Sequence, residues 1–237
     1  MRTTALLTAV ALLVPAAEKP AAPEGHSLFN GKDLTGWTLR PGADPKKSKW
    51  TVAGGVRLKD GMTNRLDGEA GSGVLLNGGD GRGVDLLTEA PHGDCELHVE
   101  FVVPKGSNSG VYFQGQYEVQ ILDSYGKEDA KLTYQDCGGI YNTAAPRKNA
   151  SKAPGEWQTY DVVFQAPRFG ADGKKTANAK FRKVVHNGVV IHKDVEVKGP
   201  TTAALSGPEK PEGPLLLQGD HGPVAFRNLR LKAAPAR

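Results

Sequence analysis

Apolar and polar residues alternate with a two-residue period along much of the chain, which predicts strands rather than helices. Between Cys95 and Val103 every second residue is apolar, and Glu96, His98 and Glu100 occupy positions between them. This spacing puts the apolar side chains on one face of a strand and the polar ones on the other. Helical spacing of apolar residues nowhere extends beyond a turn or two, so the pattern indicates an all-β chain.

Further short segments of this kind recur along the chain, separated by turns that contain Gly, Asn or Asp. The predicted strands are 50–58, 73–76, 84–88, 95–103, 111–114, 117–123, 157–165, 215–218 and 224–231, with a hairpin over 180–195. Asn187-Gly188 lies at the tip of that hairpin and fits a type I′ turn. Many short strands with turns between them predict a β-sandwich of two antiparallel sheets, in one domain over 26–233.

Polar side chains are concentrated on one face of the hairpin 111–123. Its second strand places Val119 and Ile121 on one face, and Glu118 and Gln120 on the other. Two interpretations are open, the solvated face of an antiparallel sheet and a binding cleft. Under the second, we predict that Glu118 and Gln120 point into the same cleft as His221, with Val119 and Ile121 in the core. The irregular segment 124–154 is long for a loop in a compact domain and is predicted to be functional or a lid.

Composition excludes several classes of protein. The 237 residues are 38% hydrophobic and carry a formal charge of +4, which fits a folded domain and argues against wholesale disorder. The tightest basic cluster is Lys46, Lys47 and Lys49, too short for a nucleic-acid-binding stripe, so no nucleic acid partner is expected. No phosphate loop, CxxC, HExxH or GxSxG motif is present.

The N-terminus has the layout of a secretory signal peptide. Arg2 precedes an apolar run from Ala5 to Val14, and small residues follow at Pro15-Ala16-Ala17. The predicted signal peptide is 1–17, and a flexible Pro- and Ala-rich leader follows at 18–25. No later run approaches 18 apolar residues, so we expect an exported, periplasmic or extracellular protein without a membrane span. Export makes Cys95 and Cys137 a candidate disulfide, and a free buried pair is the equal alternative.

Two residues near the C-terminus are candidates for chemistry. His221 lies in an Asp-His-Gly-Pro turn between two predicted strands, where the backbone can hold its ring toward a cleft. A solvent-facing turn histidine is the alternative. Arg227 lies in the last predicted strand. Because a buried arginine is rarely unpaired, Arg227 is either a ligand clamp or the partner of a carboxylate such as Glu118.

Six segments carry a resemblance to a known family, in the same order along the chain. They are LFNGKDLTGW at 28–37, NSGVYF at 108–113, YEVQILD at 117–123, PGEWQTYDV at 154–162, the NG hairpin at 187–188 and LLQGDHGPVAFRNLRL at 216–231. The chain resembles the 3-keto-disaccharide hydrolase domain family over 26–232. The resemblance implies a concanavalin A-like jelly-roll sandwich in exported bacterial proteins, and hydrolysis of glycosides whose sugar is oxidised at C3.

By position, the resemblance implies a set of site residues. The catalytic candidates are His221, Glu118 and Asp123. Some residues around the substrate are expected from their polar or aromatic side chains as well. The full set is Asn108, Tyr112, Gln120, Tyr141, Trp157, Gln218 and Arg227. Many relatives lack one residue before the His-Gly pair, so Gly219 is an insertion that could shift His221.

The chemistry that the resemblance implies suits these residue types. A ketone at C3 acidifies the C2 proton, so the glycosidic bond can leave by elimination before water adds. The reaction needs a base near C2, a group that polarises the ketone and an acid at the leaving oxygen. A divalent metal held by His221 and Glu118 could polarise the ketone, and no organic cofactor is expected. The alternative is a non-catalytic carbohydrate-binding module that stacks sugars on Tyr112, Tyr141 and Trp157.

Overall fold

The computed structural model describes residues 24–234, so the predicted signal peptide and most of the leader lie outside the described residues. Within this range the chain forms fifteen strands and two short 3-10 turns, Pro45–Lys47 and Asp129–Lys131. The strands are β1 (His26–Ser27), β2 (Trp37–Leu39), β3 (Trp50–Lys59), β4 (Met62–Asn77), β5 (Leu86–His92), β6 (Cys95–Val102), β7 (Asn108–Phe113), β8 (Tyr117–Leu122), β9 (Gln158–Gln165), β10 (Arg168–Phe169), β11 (Lys175–Ala177), β12 (Ala179–His186), β13 (Val189–Val197), β14 (Gly213–Leu217) and β15 (Val224–Ala233).

Two antiparallel sheets pack face to face, so the predicted jelly-roll β-sandwich is confirmed. The eight-stranded sheet has the order β13-β12-β9-β6-β15-β4-β3, with β1 added alongside β15. The five-stranded sheet has the order β2-β5-β14-β7-β8, and β10 and β11 form a separate hairpin. No helix in 24–234 is long and apolar enough to cross a membrane.

The core lies between the two sheets and is rich in aromatic rings. Phe113 of the small sheet packs against Phe164 and Phe181 of the large one, with ring centroids 4.9 and 5.3 Å apart. The alternation in β6 is confirmed, because Cys95, Leu97, Val99 and Phe101 are buried in this core. Burial of these side chains holds the register of both sheets, since a slip of one residue would expose them all.

The two cysteines are free in the structure, and their positions explain why. Cys95 lies across from Phe164 in the pairing of β6 with β9. Cys137 Sγ contacts the hydroxyl of Tyr160, 3.1 Å away. Tyr160 and Phe164 are four residues apart on one strand, a separation of about 13 Å. The thiols are therefore too far apart for a disulfide bond.

The sequence prediction missed most of β4. The segment 62–72 contains two glycines and several charged residues, which favour a turn in single-sequence analysis. It pairs with β3 as a long hairpin, and Leu66 packs with Ala53 and Leu76 in a small separate apolar cluster on the outer face of the large sheet. The Asn187-Gly188 hairpin is confirmed, with φ of 50° and 81° at the two positions as a type I′ turn requires.

Candidate functional site

The outer face of the small sheet carries a row of polar side chains. In β7 and β8, Tyr112 is paired with Glu118, and Gly110 is paired with Gln120. The side chains on the opposite face, Val119 and Ile121, are fully buried in the core. A pocket of about 50 Å³ opens over this row, lined by Asn108, Tyr112, Glu118, Gln120, Tyr141, Thr202, Ala203, Gln218 and His221. The prediction that Glu118 and Gln120 share a cleft with His221 is confirmed.

The pocket is small, with the volume of one or two water molecules. Only the reacting edge of a ligand could enter it, and the remainder would lie over the rim at Tyr141, Thr202 and His221. Larger hollows exist, such as one of about 310 Å³ around His98 on the outer face of the large sheet. In that hollow His98 Nδ1 pairs with Asp161 at 2.6 Å, and the Asp161 side chain is exposed. This carboxylate is therefore not a buried acid like Glu118 of the small pocket.

Glu118 is the buried acid of the pocket, with 2% of its surface exposed. Its backbone N–H donates to Thr201 Oγ1 at 3.1 Å, which fixes the strand against the loop that follows β13. Burial raises the pKa of the Glu118 carboxyl to about 8, and the negative charges of Asp85 and Asp220 act in the same direction, whereas the neighbouring Tyr112 hydroxyl opposes the rise. Glu118 therefore carries a proton at neutral pH and can act as an acid.

Gly110 provides the space in which the Glu118 carboxyl lies. A Cβ at Gly110 would overlap a carboxyl oxygen of Glu118. We expect Gly110→Ala to displace the carboxyl toward solvent, so that its pKa falls toward the ordinary value of a glutamic acid. Carbon-detected NMR titration of Glu118 measures this, with Gly199→Ala as the control because a Cβ there meets nothing within 4 Å. An unchanged pKa in Gly110→Ala would contradict this placement of the carboxyl.

Tyr112 lies between Glu118 and the loop after β13. Its hydroxyl donates to the carbonyl of Thr202 at 3.3 Å and accepts from Gln218 Nε2 at 3.4 Å. Burial, followed by the charge of Glu118, raises the pKa of Tyr112, so the phenol stays neutral. Gln218 Oε1 and Asn108 Oδ1 are covered and have no hydrogen-bond partner among the residues described. Such unpaired acceptors favour a ligand that brings hydroxyl donors.

His221 lies at the rim, with about half of its side chain exposed. Its Nδ1 is paired with the Asp220 carboxylate. This contact orients the ring and leaves Nε2 for a ligand, as in other histidines that are held by a carboxylate.

The turn that carries His221 is firmly anchored. The N–H of Gly219 donates to Asp85 Oδ1 at 2.9 Å, and Asn77 Nδ2 donates to the Gly219 carbonyl at 2.9 Å. A side chain at Gly219 would overlap the Val84 carbonyl, so this position requires glycine. Gly219 is thus accommodated in the turn, and His221 lines the pocket.

The irregular segment 124–154 supplies one wall of the pocket, through Tyr141. The Tyr141 N–H donates to the Glu118 carbonyl at 3.2 Å, so the segment is hydrogen-bonded to the edge strand β8. Asn142 Nδ2 donates to Thr202 Oγ1 at 2.5 Å and joins this wall to the loop after β13.

Three predicted site residues do not line the pocket. Asp123 accepts hydrogen bonds from the N–H groups of Gly106 and Tyr125, at 2.9 and 3.4 Å, and stabilises the turn before β7. Trp157 and Arg227 lie on the outer face of the large sheet, where the guanidinium lies over the indole at 4.0 Å from its centroid.

The position of Arg227 also decides between its two predicted roles. Arg227 Nε donates to Glu100 Oε2 at 2.6 Å. It is therefore a salt-bridge partner, of Glu100 and not of Glu118. The placement of Trp157 and Arg227 in the site is thus corrected, because Arg227 lies in β15 and Trp157 directly precedes β9, and both strands belong to the large sheet.

The donor set of the pocket does not fit a resident metal ion. Within residues 24–234, no group of three or more His, Cys, Asp or Glu side chains is arranged to hold a cation. His221 and Glu118 line the same pocket, but its other lining side chains are amides, hydroxyls and a phenol. We therefore derive no chemical step through a metal.

Four residues that the sequence analysis missed complete the site. Thr202 and Ala203 line the pocket, and Asp85 and Arg40 lie behind it as an ion pair with a distance of 2.8 Å. None of them lies in a local pattern that distinguishes it from other loop residues. Their contacts join segments far apart in the sequence, which a period-based analysis does not detect.

Comparisons with known proteins agree with this fold. A 3-keto-disaccharide hydrolase of Bacteroides thetaiotaomicron is 27% identical over 245 residues, covering 90% of this chain and 80% of its own. A solved structure of a candidate glycosyl hydrolase from Parabacteroides distasonis is 28% identical, with a TM-score of 0.63 and coverage of 89% and 84%. A second one from that organism, 20% identical with a TM-score of 0.57, covers 87% and 92% and supports the fold. Residues 24–232 match the 3-keto-alpha-glucoside-1,2-lyase-like domain, and the chain belongs to that family.

Proposed function

We propose that this protein is an exported enzyme that cleaves 3-keto-glycosides by elimination followed by hydration. The observation that carries the proposal is the convergence of a buried acid, Glu118, and a carboxylate-held histidine, His221, on one pocket whose other side chains are hydrogen-bonding groups. Family membership supports a carbohydrate-active enzyme of the glycosidase type. A binding module of the same fold would not require an acid and a base to face each other.

In the first half of the reaction, His221 Nε2 removes the proton from C2 of the sugar. The electron pair forms the C1=C2 double bond and the bond from C1 to the glycosidic oxygen breaks. Glu118, protonated at neutral pH, gives its proton to that oxygen, so that the leaving group departs as an alcohol. Charge on the ketone oxygen is stabilised by a donor such as the Asn108 amide.

In the second half, water adds to C1 of the unsaturated ketone. The Glu118 carboxylate takes a proton from the water, and the imidazolium of His221 returns its proton to C2. Both residues regain their initial protonation states, and the sum of the two halves is hydrolysis. Tyr141 at the rim is placed to contact the part of the substrate outside the pocket.

The proposal is tested by incubating the mature protein with a 3-keto-glucoside and with the same glucoside unoxidised. We expect turnover of the oxidised compound alone, because the unoxidised sugar has no acidic C2 proton. Reaction in deuterated water should place deuterium at C2 of the sugar product, because the half-exposed imidazolium of His221 exchanges its proton with solvent before C2 is protonated again. Direct displacement would place none there. Activity is expected to persist with a chelator, since the described donor set does not fit a metal. Cleavage of the unoxidised glycoside without deuterium incorporation would contradict the proposal.

Export is part of the proposal and rests on the sequence of the N-terminus. We expect the mature protein to lack residues 1 to about 17. Intact-mass measurement of protein isolated from its own cell envelope or medium tests this, and retention of Met1 there would contradict it.

A further inference from the structure

Two loops that form the pocket are connected behind it by a single ion pair. Arg40 follows β2, and its Nη1 donates to Asp85 Oδ2 at 2.8 Å and to the Ala203 carbonyl at 3.0 Å. Its Nη2 donates to the Ala204 carbonyl at 2.8 Å. The other oxygen of Asp85 accepts from the N–H of Gly219 at 2.9 Å. The guanidinium thus holds the 201–204 loop, and its carboxylate partner holds the turn that carries His221.

Burial makes this pair more than a surface contact. The Asp85 side chain is 5% exposed and that of Arg40 is 32% exposed, whereas exposed ion pairs contribute little to stability. The planar guanidinium has donors in fixed directions, which suits an arrangement of three oxygens on two segments. A lysine ammonium has no such geometry. Ala203 has a φ of 61°, unusual for a residue with a side chain, and the Arg40 contact to its carbonyl helps to hold that conformation.

We propose that Arg40 and Asp85 are positioning residues, which set the distance between the Thr202–Ala203 wall of the pocket and His221. Neither residue is among those that line the pocket, so both act through the loops that they hold. The inference rests on the proposed function for its catalytic consequence, but its structural content can be tested separately.

The structural test is hydrogen–deuterium exchange on the purified protein. The amides of Ala204 and Leu205 are hydrogen-bonded, to the carbonyls of Thr201 and Gly115, so their protection can be measured. We expect exchange in 201–205 to become at least tenfold faster in Arg40→Met and in Asp85→Asn. Arg182→Met is the matched control, because Arg182 forms an exposed ion pair with Asp194 on the large sheet. Unchanged exchange in both variants, or an equal change in the control, would overturn the inference.

The kinetic test separates positioning from general loss of structure. We expect Arg40→Met to lower kcat for a 3-keto-glucoside about tenfold or more, with a smaller change in KM, because Asn108, Gln120 and Gln218 remain in place. Arg40→Lys should recover part of kcat, since it keeps the charge beside Asp85. If Arg40→Met does not fold, the hydrogen–deuterium exchange test can be made on Arg40→Lys instead. Full recovery of kcat in Arg40→Lys would argue against positioning by the guanidinium, because lysine keeps the charge without the geometry of the three contacts. If the unmodified protein cleaves no 3-keto-glycoside, the proposed function fails, while exchange still decides whether the pair holds the loops.

Discussion

Replacing His221 with alanine should lower turnover of a 3-keto-glucoside at least about a hundredfold, the usual scale for loss of a general base. The variant keeps Glu118 and the amides of the pocket, so the substrate should still bind. It lacks the imidazole that takes the C2 proton, and Asp220, which pairs with that ring, is left at the rim. The melting temperature should change little, because the ring is about half exposed and lies outside the core.

A matched control lies on the other sheet. His98 also pairs with a neighbouring carboxylate, Asp161, but on the outer face of the large sheet. His98→Ala removes the same ring from a similar contact, and we expect turnover to stay near that of the unmodified protein. If His221→Ala retains nearly full activity, His221 is not the base, and Asp220 becomes the next carboxylate to test.

The sequence identified the hairpin of the site because its pattern is local. Alternation within β8 separates Glu118 and Gln120 from Val119 and Ile121, and packing of the apolar pair in the hydrophobic core makes that register the stable one. His221 could be placed because turn residues and the neighbouring strands follow directly in the sequence. These inferences need no knowledge of how the sheets are ordered.

Sheet order explains the misplaced residues. Alternation tells which residues share a face, but not which of two sheets a strand joins. Trp157 and Arg227 lie in motifs that also contain predicted site residues, yet Trp157 directly precedes β9 and Arg227 lies in β15, both strands of the other sheet. Arg40 and Asp85 show the converse, since their contact spans 45 positions and links segments that carry no recognisable motif.

The raised pKa of Glu118 also depends on distant parts of the chain. A glutamate on the polar face of a strand would ordinarily be solvated and ionised. Here Thr201 of the loop that follows β13 contacts the backbone of Glu118, and Thr202 and Tyr141 line the pocket beside it. Burial by these segments, rather than the strand itself, makes Glu118 an acid.

Replacing Glu118 with glutamine should affect both rate and stability, and the two effects have different pH dependences. Glutamine cannot donate a proton to the leaving oxygen, so turnover should fall about a hundredfold or more at neutral pH. In the unmodified protein, turnover should also decline above pH 8, where Glu118 loses its proton. The variant should lack that decline, because the group that titrates is gone. A pH profile of kcat/KM for both proteins measures this.

Glu118→Gln should lower turnover but increase the stability of the folded protein at alkaline pH. The pKa of Glu118 is raised from 4.5 to about 8 by folding, so the folded state holds its proton more tightly than the unfolded state. The resulting penalty is absent below pH 4.5, grows as pH rises, and is complete above about pH 8. Glu118→Gln removes the penalty. The difference in free energy of unfolding between Glu118→Gln and the unmodified protein should therefore rise in favour of the variant by on the order of 3 to 5 kcal/mol from pH 4 to pH 9.

Urea unfolding at these two pH values measures the difference, with Glu156→Gln as the control because Glu156 is exposed. The control substitution makes the same chemical change without removing a buried carboxyl, so it should alter stability little at either pH. A variant that is inactive yet more stable at alkaline pH would mark Glu118 as a residue whose burial costs stability and serves the reaction. If Glu118→Gln showed no gain in stability with rising pH, the carboxyl would be ionised in the folded protein and could not be the acid of the proposed elimination.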